Sequence, residues 1–293
     1  MKMNKSINLT HYAKVLNIDE NALSVVGEGA NGIVLTDGCG IAYKFPKHEQ
    51  SLMALKNEIE IMNHISGSLS FQVPKFTTIC LDYPIGSAYC AYPLIDGVPL
   101  TTEIYLSKRQ LISKQLLLMI DEIHQIKPIS AMKTDKLDFE IMFNDIKKLL
   151  FPLITQEGLK QEITLKFEAH LKTEQTFEQT ECVIHGDLGS VNILCNPTNG
   201  TITGIIDWAG ISIGNPVIDY SSLTCAKGIP PLKEDLLKLR PSLSTVFEFS
   251  EFIQYTFPIQ EALFGVITSD KQSLNDGLTV MISNFNKATE GLD

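Results

Sequence analysis

The sequence of 293 residues predicts an α+β fold with two lobes. We expect a β-rich N-terminal lobe over residues 1–95 and a mainly helical C-terminal lobe over residues 96–293. Two observations indicate this layout. Short runs of β-forming residues separated by glycine occupy residues 22–46, and helical spacing of apolar residues dominates from about residue 101. The length suffices for two lobes that share a cleft.

The N-terminal lobe is predicted to be a small antiparallel sheet that carries one helix. A DGCG turn at residues 37–40 joins two strands as a hairpin. Leucine, isoleucine and methionine then recur at helical spacing over residues 49–66, which indicates an amphipathic helix. The strands are predicted at residues 22–26, 32–35, 40–45, 76–82 and 86–93.

The C-terminal lobe is predicted to be mainly helical, with one interruption by strands and loops between residues 183 and 208. This interruption is where the polar, loop-like chemistry of the lobe concentrates. The last helical stretch is expected to be broken at Pro241, Pro258 and Gly277, because proline and glycine disfavour helix interiors. The helices are predicted at residues 115–126, 138–151, 157–172 and 233–289.

Composition narrows the class of partner and compartment. The formal net charge of −10 argues against nucleic acid as a partner. No apolar run is long enough for a signal peptide or a membrane span, so we expect a cytoplasmic protein with no membrane partner. The six cysteines are scattered without a C-x-x-C pair, which favours reduced thiols over a metal site or a disulfide framework.

The strongest chemical signal is His185-Gly-Asp187-Leu, followed by Asn192 and then by Asp207 in I-I-D-W. Phosphoryl transfer needs an acceptor hydroxyl held in line and metal ions that neutralise the phosphate oxygens. Asp187 is the candidate that meets the hydroxyl. Asn192 and Asp207 supply the hard oxygen ligands that Mg²⁺ prefers. The alternative, in which Asp187 only caps a turn, does not account for the full set at this spacing.

A second signal is a glycine motif, G-x-G-x-x-G-x-V, formed by Gly27, Gly29 and Gly32. Glycines between strands commonly serve turns, so the motif alone is a weak signal. A strand follows it here, whereas a dinucleotide-binding motif would require a helix. The strand–loop–strand context predicts a flap over nucleotide phosphates.

The third signal is Lys44 on the predicted third strand, I-A-Y-K-F. A lysine on an apolar strand directs its ammonium to a partner or to water. Helical geometry places Glu58 on the buried stripe of the next helix, whereas Glu60 lies roughly opposite. A buried carboxylate needs a partner, so we expect Lys44 and Glu58 to pair and to orient the phosphates.

These motifs together resemble the aminoglycoside phosphotransferase family, which has a protein-kinase-like fold. The resemblance runs from the glycine motif to the G-x-P-x-x-D element that ends at Asp219 and covers most of the chain. Residues 96–101 (DGVPLT) and 45–47 (FPK) resemble the 2″-acting subgroup. One departure is Asn215, which stands where the family usually has aspartate.

The resemblance implies a donor, a cofactor and roles for the site residues. The donor is ATP or GTP, the cofactor is Mg²⁺, and the acceptor is a small molecule such as a cationic aminoglycoside. The implied roles are catalysis for Asp187, metal binding for Asn192 and Asp207, phosphate orientation for Lys44 and Glu58, and purine contact for Tyr92 and Leu94 in the connector between the lobes.

Three alternatives remain open. The same chemistry serves kinases of choline, homoserine, amino sugars and macrolides. A protein kinase is disfavoured because Gly189 stands where serine/threonine kinases usually carry lysine, and because the stretch from Asp207 to Asp219 leaves little room for an activation loop. An inactive nucleotide-binding regulator is disfavoured because the lysine, the base and the metal ligands are all present.

Overall fold

The computed structural model describes residues 7–29, 31–135, 137–174 and 181–290. The strands are β1 Ser24–Glu28, β2 Gly32–Thr36, β3 Ile41–Pro46, β4 Thr78–Cys80, β5 Tyr89–Pro93, β6 Val98–Pro99, β7 Cys182–Ile184, β8 Ile193–Cys195, β9 Ile202–Ile205 and β10 Ser212–Gly214. The helices are α1 Leu9–Leu16, α2 Glu49–Ile65, α3 Thr102–Ser107, α4 Arg109–His124, α5 Phe139–Asp145, α6 Glu157–Glu174, α7 Val217–Thr224, α8 Leu232–Leu239, α9 Ser244–Thr268 and α10 Lys271–Glu290.

The N-terminal lobe is a five-stranded antiparallel sheet in the order β1-β2-β3-β5-β4. Alternation along β3 gives the sheet two different faces. On one face Phe45 packs against Tyr12 of α1, with ring centroids 4.6 Å apart. On the other face Cys90 of β5 joins the apolar side of α2. Lys44 therefore points to the α2 face, while Phe45 points to the α1 face.

The C-terminal lobe contains two apolar clusters and two short sheets. One cluster surrounds α4 and includes Trp208, which is fully buried. The other fills the space between α5, α6, α9 and α10. The sheets have the strand orders β6-β8-β9 and β10-β7. Both sheets border the loops at residues 185–192 and 206–211, so they fix the positions of the predicted catalytic residues.

The segment that follows α2 crosses to the C-terminal lobe and joins its sheet. The N–H of Gln72 donates to the carbonyl of Thr203 at 3.2 Å, and the N–H of Ile205 donates to the carbonyl of Gln72 at 3.0 Å. Gly204 permits this approach, because a Cβ there would lie 2.5 Å from the Gln72 carbonyl oxygen. The segment after α2 is thereby joined to the lobe that carries Asp187.

The predicted fold class is confirmed, including the sheet, α2 and the helical C-terminal lobe. The predicted break at Pro258 is wrong, because α9 continues through it to Thr268. The predicted break at Gly277 is also wrong. Gly277 instead allows α10 to approach α9, since a Cβ there would lie 2.5 Å from the Pro258 carbonyl oxygen. Tertiary packing overrides local propensity at both positions.

Other element boundaries moved by smaller amounts. The helix expected from residue 115 begins at Arg109. The helix expected over residues 138–151 is α5 followed by a single wide helical turn, Ile146–Leu150. Across the ranges described above, no helix has both the length and the apolar character needed to cross a membrane. All six cysteines are free thiols.

Candidate active site

The loop that carries Asp187 is held by one buried carboxylate, Asp219 at the start of α7. Its Oδ2 accepts the N–H of His185 at 3.0 Å, and its Oδ1 accepts the N–H of Gly186 at 3.0 Å. His124 of α4 is also bonded to Oδ2, through Nε2 at 3.0 Å. Asp219 is fully buried, so these partners satisfy carboxyl oxygens that have no access to water. Asp219 is therefore a structural tie to the loop.

His185 and Gly186 connect this loop to the next one. His185 Nδ1 accepts the N–H of Asp187 at 3.3 Å, so the ring proton lies on Nε2, which donates to the Ile206 carbonyl at 3.2 Å. Gly186 has a φ of +81°, and a Cβ there would lie 2.2 Å from the carbonyl oxygen of Gly210. The two loops thus meet backbone to backbone, and only glycine fits at residue 186.

Asn192 orients Asp187. Its Nδ2 donates to the Asp187 carbonyl at 2.8 Å and to Asp187 Oδ2 at 3.2 Å. Within the described residues, Asp187 Oδ1 has no hydrogen-bond partner and can accept a proton from a hydroxyl. The side chain of Asp187 is exposed, although protein groups surround its base. Partial desolvation by these groups, together with the nearby charge of Asp207, raises the pKa of its carboxyl above the ordinary value.

Lys44 joins the two lobes electrostatically. Its Nζ lies 2.9 Å from Glu58 Oε2 and 2.9 Å from Asp207 Oδ1. Burial acts to lower the pKa of Lys44, but the two carboxylates outweigh it and raise the pKa above its ordinary value. Burial likewise acts to raise the pKa of Asp207, but Lys44 outweighs it and lowers that pKa. Lys44 and Asp207 are therefore both charged at neutral pH.

Glu58 has a second partner in the C-terminal lobe. Its Oε1 accepts the N–H of Trp208 at 3.2 Å, and its side chain is 1% exposed. One carboxylate from α2 therefore holds both the lysine of the sheet and the loop next to Asp207. Asp207 itself has a left-handed backbone, with φ 62° and ψ 64°, which costs a non-glycine residue of order 1–2 kcal/mol. The surrounding bonds maintain this conformation.

The residues predicted to hold Mg²⁺ have suitable donor atoms. Asn192 uses its Nδ2 toward Asp187, which leaves its Oδ1 without a partner in the described residues. Asp207 uses Oδ1 toward Lys44, and its Oδ2 is without a partner in the same ranges. Among the described residues no group of three His, Cys, Asp or Glu forms a metal site. The two available oxygens, Asn192 Oδ1 and Asp207 Oδ2, suit Mg²⁺, which takes one or two protein ligands and completes its shell with phosphates and water.

The three glycines of the motif differ in what the fold requires of them. A Cβ on Gly32 would lie 2.8 Å from the Phe45 carbonyl oxygen, so the close approach of β2 to β3 requires glycine there. A Cβ on Gly27 would make only an ordinary contact of 3.8 Å, and one on Gly29 would meet nothing within 4 Å. The fold alone does not explain why residues 27 and 29 are glycine.

Tyr92, near the end of β5, is buried and packs edge to face against Phe76 with ring centroids 5.5 Å apart. Leu94 follows β5. Its N–H donates to the Gly40 carbonyl at 2.8 Å, so that N–H is not available to a purine in this structure. Sequence reasoning missed this bond, because it depends on the register between β3 and β5.

Asn215, which stands in place of the usual aspartate, accepts the N–H of Val217 through its Oδ1 at 2.9 Å and so caps the start of α7. Asparagine therefore still satisfies a helix N–H at this position. The direct bond from Asp207 to Lys44 and the bond from the Trp208 N–H to Glu58 were not foreseen. Neither has a local sequence signal, because both join residues far apart in the chain.

The β-rich lobe and the helical lobe bring together a lysine–glutamate pair, an Asp–Asn pair and a further aspartate. This arrangement is typical of a protein-kinase-like phosphotransferase. Residues 27–236 match the model of the phosphotransferase enzyme family, and the chain belongs to this family. The family resemblance expected from the motifs is confirmed. The match places the chain among phosphotransferase enzymes and names neither a donor nor an acceptor.

A curated relative is viomycin phosphotransferase from Streptomyces vinaceus. It is 28% identical over 137 residues, which span 46% of this chain and 46% of the relative. The matched segment is thus about half of the relative's length.

Three solved structures show the shared fold. The GDP complex of aminoglycoside 2'-phosphotransferase-IIIa has a TM-score of 0.82 at 21% identity and covers 96% of this chain and 99% of its own. The gentamicin complex of APH(2")-IIa has a TM-score of 0.73 at 18% identity, with 96% and 97% covered. Macrolide 2'-phosphotransferase from Brachybacterium faecium has a TM-score of 0.67 at 16% identity, with 88% and 91% covered.

Proposed function

We propose that the chain transfers the γ-phosphate of ATP or GTP to a hydroxyl group of an aminoglycoside. The observation that carries this proposal is the position of Lys44, whose Nζ lies 2.9 Å from carboxylates of both lobes. A lysine held in this way presents a fixed positive charge at the floor of the cleft. Such a charge suits the phosphates of a nucleotide, because phosphoryl transfer is catalysed mainly by positioning and electrostatic stabilisation.

Each side chain then has a distinct role in the proposed reaction. Asp187 Oδ1 accepts the hydrogen bond of the acceptor hydroxyl and takes its proton as the new bond forms. Asn192 keeps the carboxyl of Asp187 in this orientation through Nδ2. Asn192 Oδ1 and Asp207 would hold Mg²⁺, which supplies positive charge to the phosphate oxygens when bound. Lys44, held by Glu58, contacts the phosphates from the N-terminal lobe.

The glycine motif supports a nucleotide in the cleft. A side chain at residue 29 would lie in open space, so the fold does not require glycine there. A side chain at this point would obstruct a phosphate group that lies against the backbone. The purine edge is proposed to meet the connector that follows Tyr92, through backbone groups other than the Leu94 N–H.

The acceptor is inferred from charge and from the names of similar proteins. Residues 201–293 contain eleven Asp or Glu against six Lys or Arg, and this excess suits a cationic acceptor. The names of the similar structures include aminoglycoside and macrolide phosphotransferases, and the curated relative is named for viomycin. These three acceptor classes therefore define the panel to test, with choline, homoserine and amino sugars as metabolite alternatives.

The experiment uses purified protein, Mg²⁺ and either ATP or GTP with each acceptor, and mass spectrometry reads the acceptor. We expect one phosphoryl group on kanamycin- or gentamicin-type compounds and none when Asp187→Ala replaces the wild type. Faster turnover of a macrolide, of viomycin or of a neutral metabolite would reassign the acceptor and keep the chemistry. Nucleotide binding without transfer to any acceptor would favour the inactive regulator, and phosphate on a protein substrate would favour a protein kinase.

A further inference from the structure

A second lysine of the N-terminal lobe, Lys47, contacts the glycine motif directly. Its Nζ donates to Glu28 Oε1 at 2.9 Å and to the carbonyl oxygen of Gly29 at 2.8 Å. Its backbone N–H donates to the Asn31 carbonyl at 3.1 Å. Three bonds from one residue therefore reach both sides of the turn that joins β1 to β2. None of them is needed to form the Lys44 cluster described above.

Strand register shows on which face of the sheet the Lys47 side chain lies. Glu28 pairs with Ile33, and Ile33 pairs with Phe45, so all three share a face. That face is covered by α1, where Phe45 and Ile33 pack. Lys47 continues the β2–β3 register opposite Asn31 and lies two residues beyond Phe45. Lys47 therefore contacts the turn from the α1 face, whereas Lys44 points into the cleft from the opposite face.

Few other restraints act on the residues of the turn that the structure describes. The N–H of Gly29 donates to the Gly32 carbonyl at 3.0 Å, and this bond closes the β1–β2 ladder. Glycines have no side chains with which to pack, so a glycine-rich turn depends on backbone bonds for its position. The ammonium of Lys47 gives the Gly29 carbonyl a charged partner. A charge-assisted bond of this kind is roughly twice as strong as a neutral one.

We propose that Lys47 is a positioning residue for the donor nucleotide. It contacts no substrate and acts through the glycine turn, which it holds in one place over the cleft. Fixing the turn before the nucleotide arrives removes part of the ordering cost of binding. The proposal rests on the proposed function, because it requires that the turn cover the phosphates of a nucleoside triphosphate.

The test compares Lys47→Met with Lys47→Arg and Glu28→Gln, with Lys56→Met as the matched control. Lys56 is exposed on α2 and has only a surface ion pair with Asp82 at 3.8 Å. Calorimetry with a non-hydrolysable GTP or ATP analogue and Mg²⁺ measures nucleotide affinity. We expect Lys47→Met to raise the Kd about five-fold, a loss typical of one charge-assisted bond on a partly exposed group. Lys47→Arg should restore most of the affinity.

Two further readouts separate positioning from a general structural role. The KM for the acceptor and the midpoint of thermal unfolding should stay at their wild-type values in Lys47→Met, since the bonds concerned lie only at the turn. Glu28→Gln should weaken nucleotide binding less than Lys47→Met, because the bond to the Gly29 carbonyl remains. Combining both changes should be no worse than Lys47→Met alone, because the side chains act through one contact.

Several outcomes would overturn the inference. Wild-type nucleotide affinity in Lys47→Met would show that the turn does not need the hydrogen bonds of the Lys47 side chain. An equal loss in Lys56→Met would show a general charge effect, and a parallel rise in acceptor KM with a lower unfolding midpoint would show a structural role. If the wild type transfers phosphate normally and Lys47→Met binds nucleotide equally well, this inference alone fails. If the wild type binds no nucleotide, both this inference and the proposed function fail.

Discussion

Replacing Glu58 tests how the two lobes are joined at the site. Glu58 is 1% exposed and has two partners from different parts of the chain, Lys44 Nζ at 2.9 Å and the Trp208 N–H at 3.2 Å. Glu58→Gln keeps an oxygen that can accept the Trp208 N–H but removes the charge that faces Lys44. Glu58→Ala removes both acceptors. The difference between the two variants therefore contains the bond to Trp208 together with the packing of the buried side chain.

The magnitudes follow from what each change leaves unpaired. In Glu58→Gln, Lys44 keeps Asp207 as a partner at 2.9 Å, so the loss is one charged hydrogen bond, about 1.5–3 kcal/mol of unfolding free energy. In Glu58→Ala, the buried Trp208 N–H also loses its acceptor, which adds about 1–3 kcal/mol. Lys44 stays protonated at neutral pH in both variants, because Asp207 still raises its pKa and its ordinary value is far above 7.

Urea unfolding measures the free energies, and steady-state phosphotransfer measures kcat/KM. Glu58→Gln should lower kcat/KM roughly 10- to 100-fold, which corresponds to about 1.4–2.7 kcal/mol of lost stabilisation of the transition state. The matched control is Glu60→Gln on the exposed side of the same helix, which should leave both quantities unchanged. If Glu58→Gln keeps wild-type kcat/KM and stability, Lys44 does not depend on Glu58 and the reasoning is refuted.

Four further predictions concern other parts of the molecule. Because the pKa of Asp187 is raised, acid should inhibit transfer at a higher pH than it would for an ordinary aspartate base, and the drop in kcat/KM measures this. A kcat/KM that stays constant down to the ordinary aspartate range would contradict this. Because the pKa of Asp187 is raised in the folded protein, the ionised carboxyl lowers the stability of the fold once the pH rises above that pKa. Asp187→Asn should therefore increase the midpoint of thermal unfolding at neutral pH while abolishing transfer. A lower midpoint would reverse this interpretation. Asp219→Asn should reduce unfolding free energy by about 2–4 kcal/mol in denaturant titrations, since it breaks a buried charged network, whereas an unchanged value would show that the loop needs no such tie. Gly277→Ala should cost about 1–3 kcal/mol by forcing α10 away from α9, while Thr279→Ala on the exposed side of α10 should cost nothing; a stabilised Gly277→Ala would show that the helices can separate freely.

The sequence carried enough information to predict the fold class and to propose which residues form the site. Period-two and helical patterns located the sheet and α2, and the helical stripe distinguished Glu58, which is buried, from Glu60, which is exposed. The order and spacing of Asp187, Asn192 and Asp207 indicated phosphoryl transfer before any geometry was known. These features are local, and local patterns are what a single sequence records.

Features that depend on tertiary contacts were not predictable in the same way. Pro258 and Gly277 read as helix breaks, yet both lie inside helices because the helices pack against each other there. The bond from the Leu94 N–H to Gly40 depends on strand register. The contact between Lys47 and the Gly29 carbonyl also depends on register. In the sequence, the FPK segment that contains Lys47 indicated only a resemblance to a subgroup and no contact. Such contacts join residues whose separation in sequence carries no periodic signal.

The transfer of an isotopically labelled γ-phosphate tests the central claim most directly. Wild-type protein and Asp187→Ala are each given Mg²⁺, γ-labelled GTP or ATP, and a kanamycin-type aminoglycoside, and nucleotide binding is measured in parallel. We expect label on the aminoglycoside with the wild type only, and nearly equal nucleotide affinity in both proteins. Equal transfer by Asp187→Ala would contradict the proposed role of Asp187, and tight nucleotide binding by the wild type without label on any acceptor of the panel would contradict phosphoryl transfer as the function of this site.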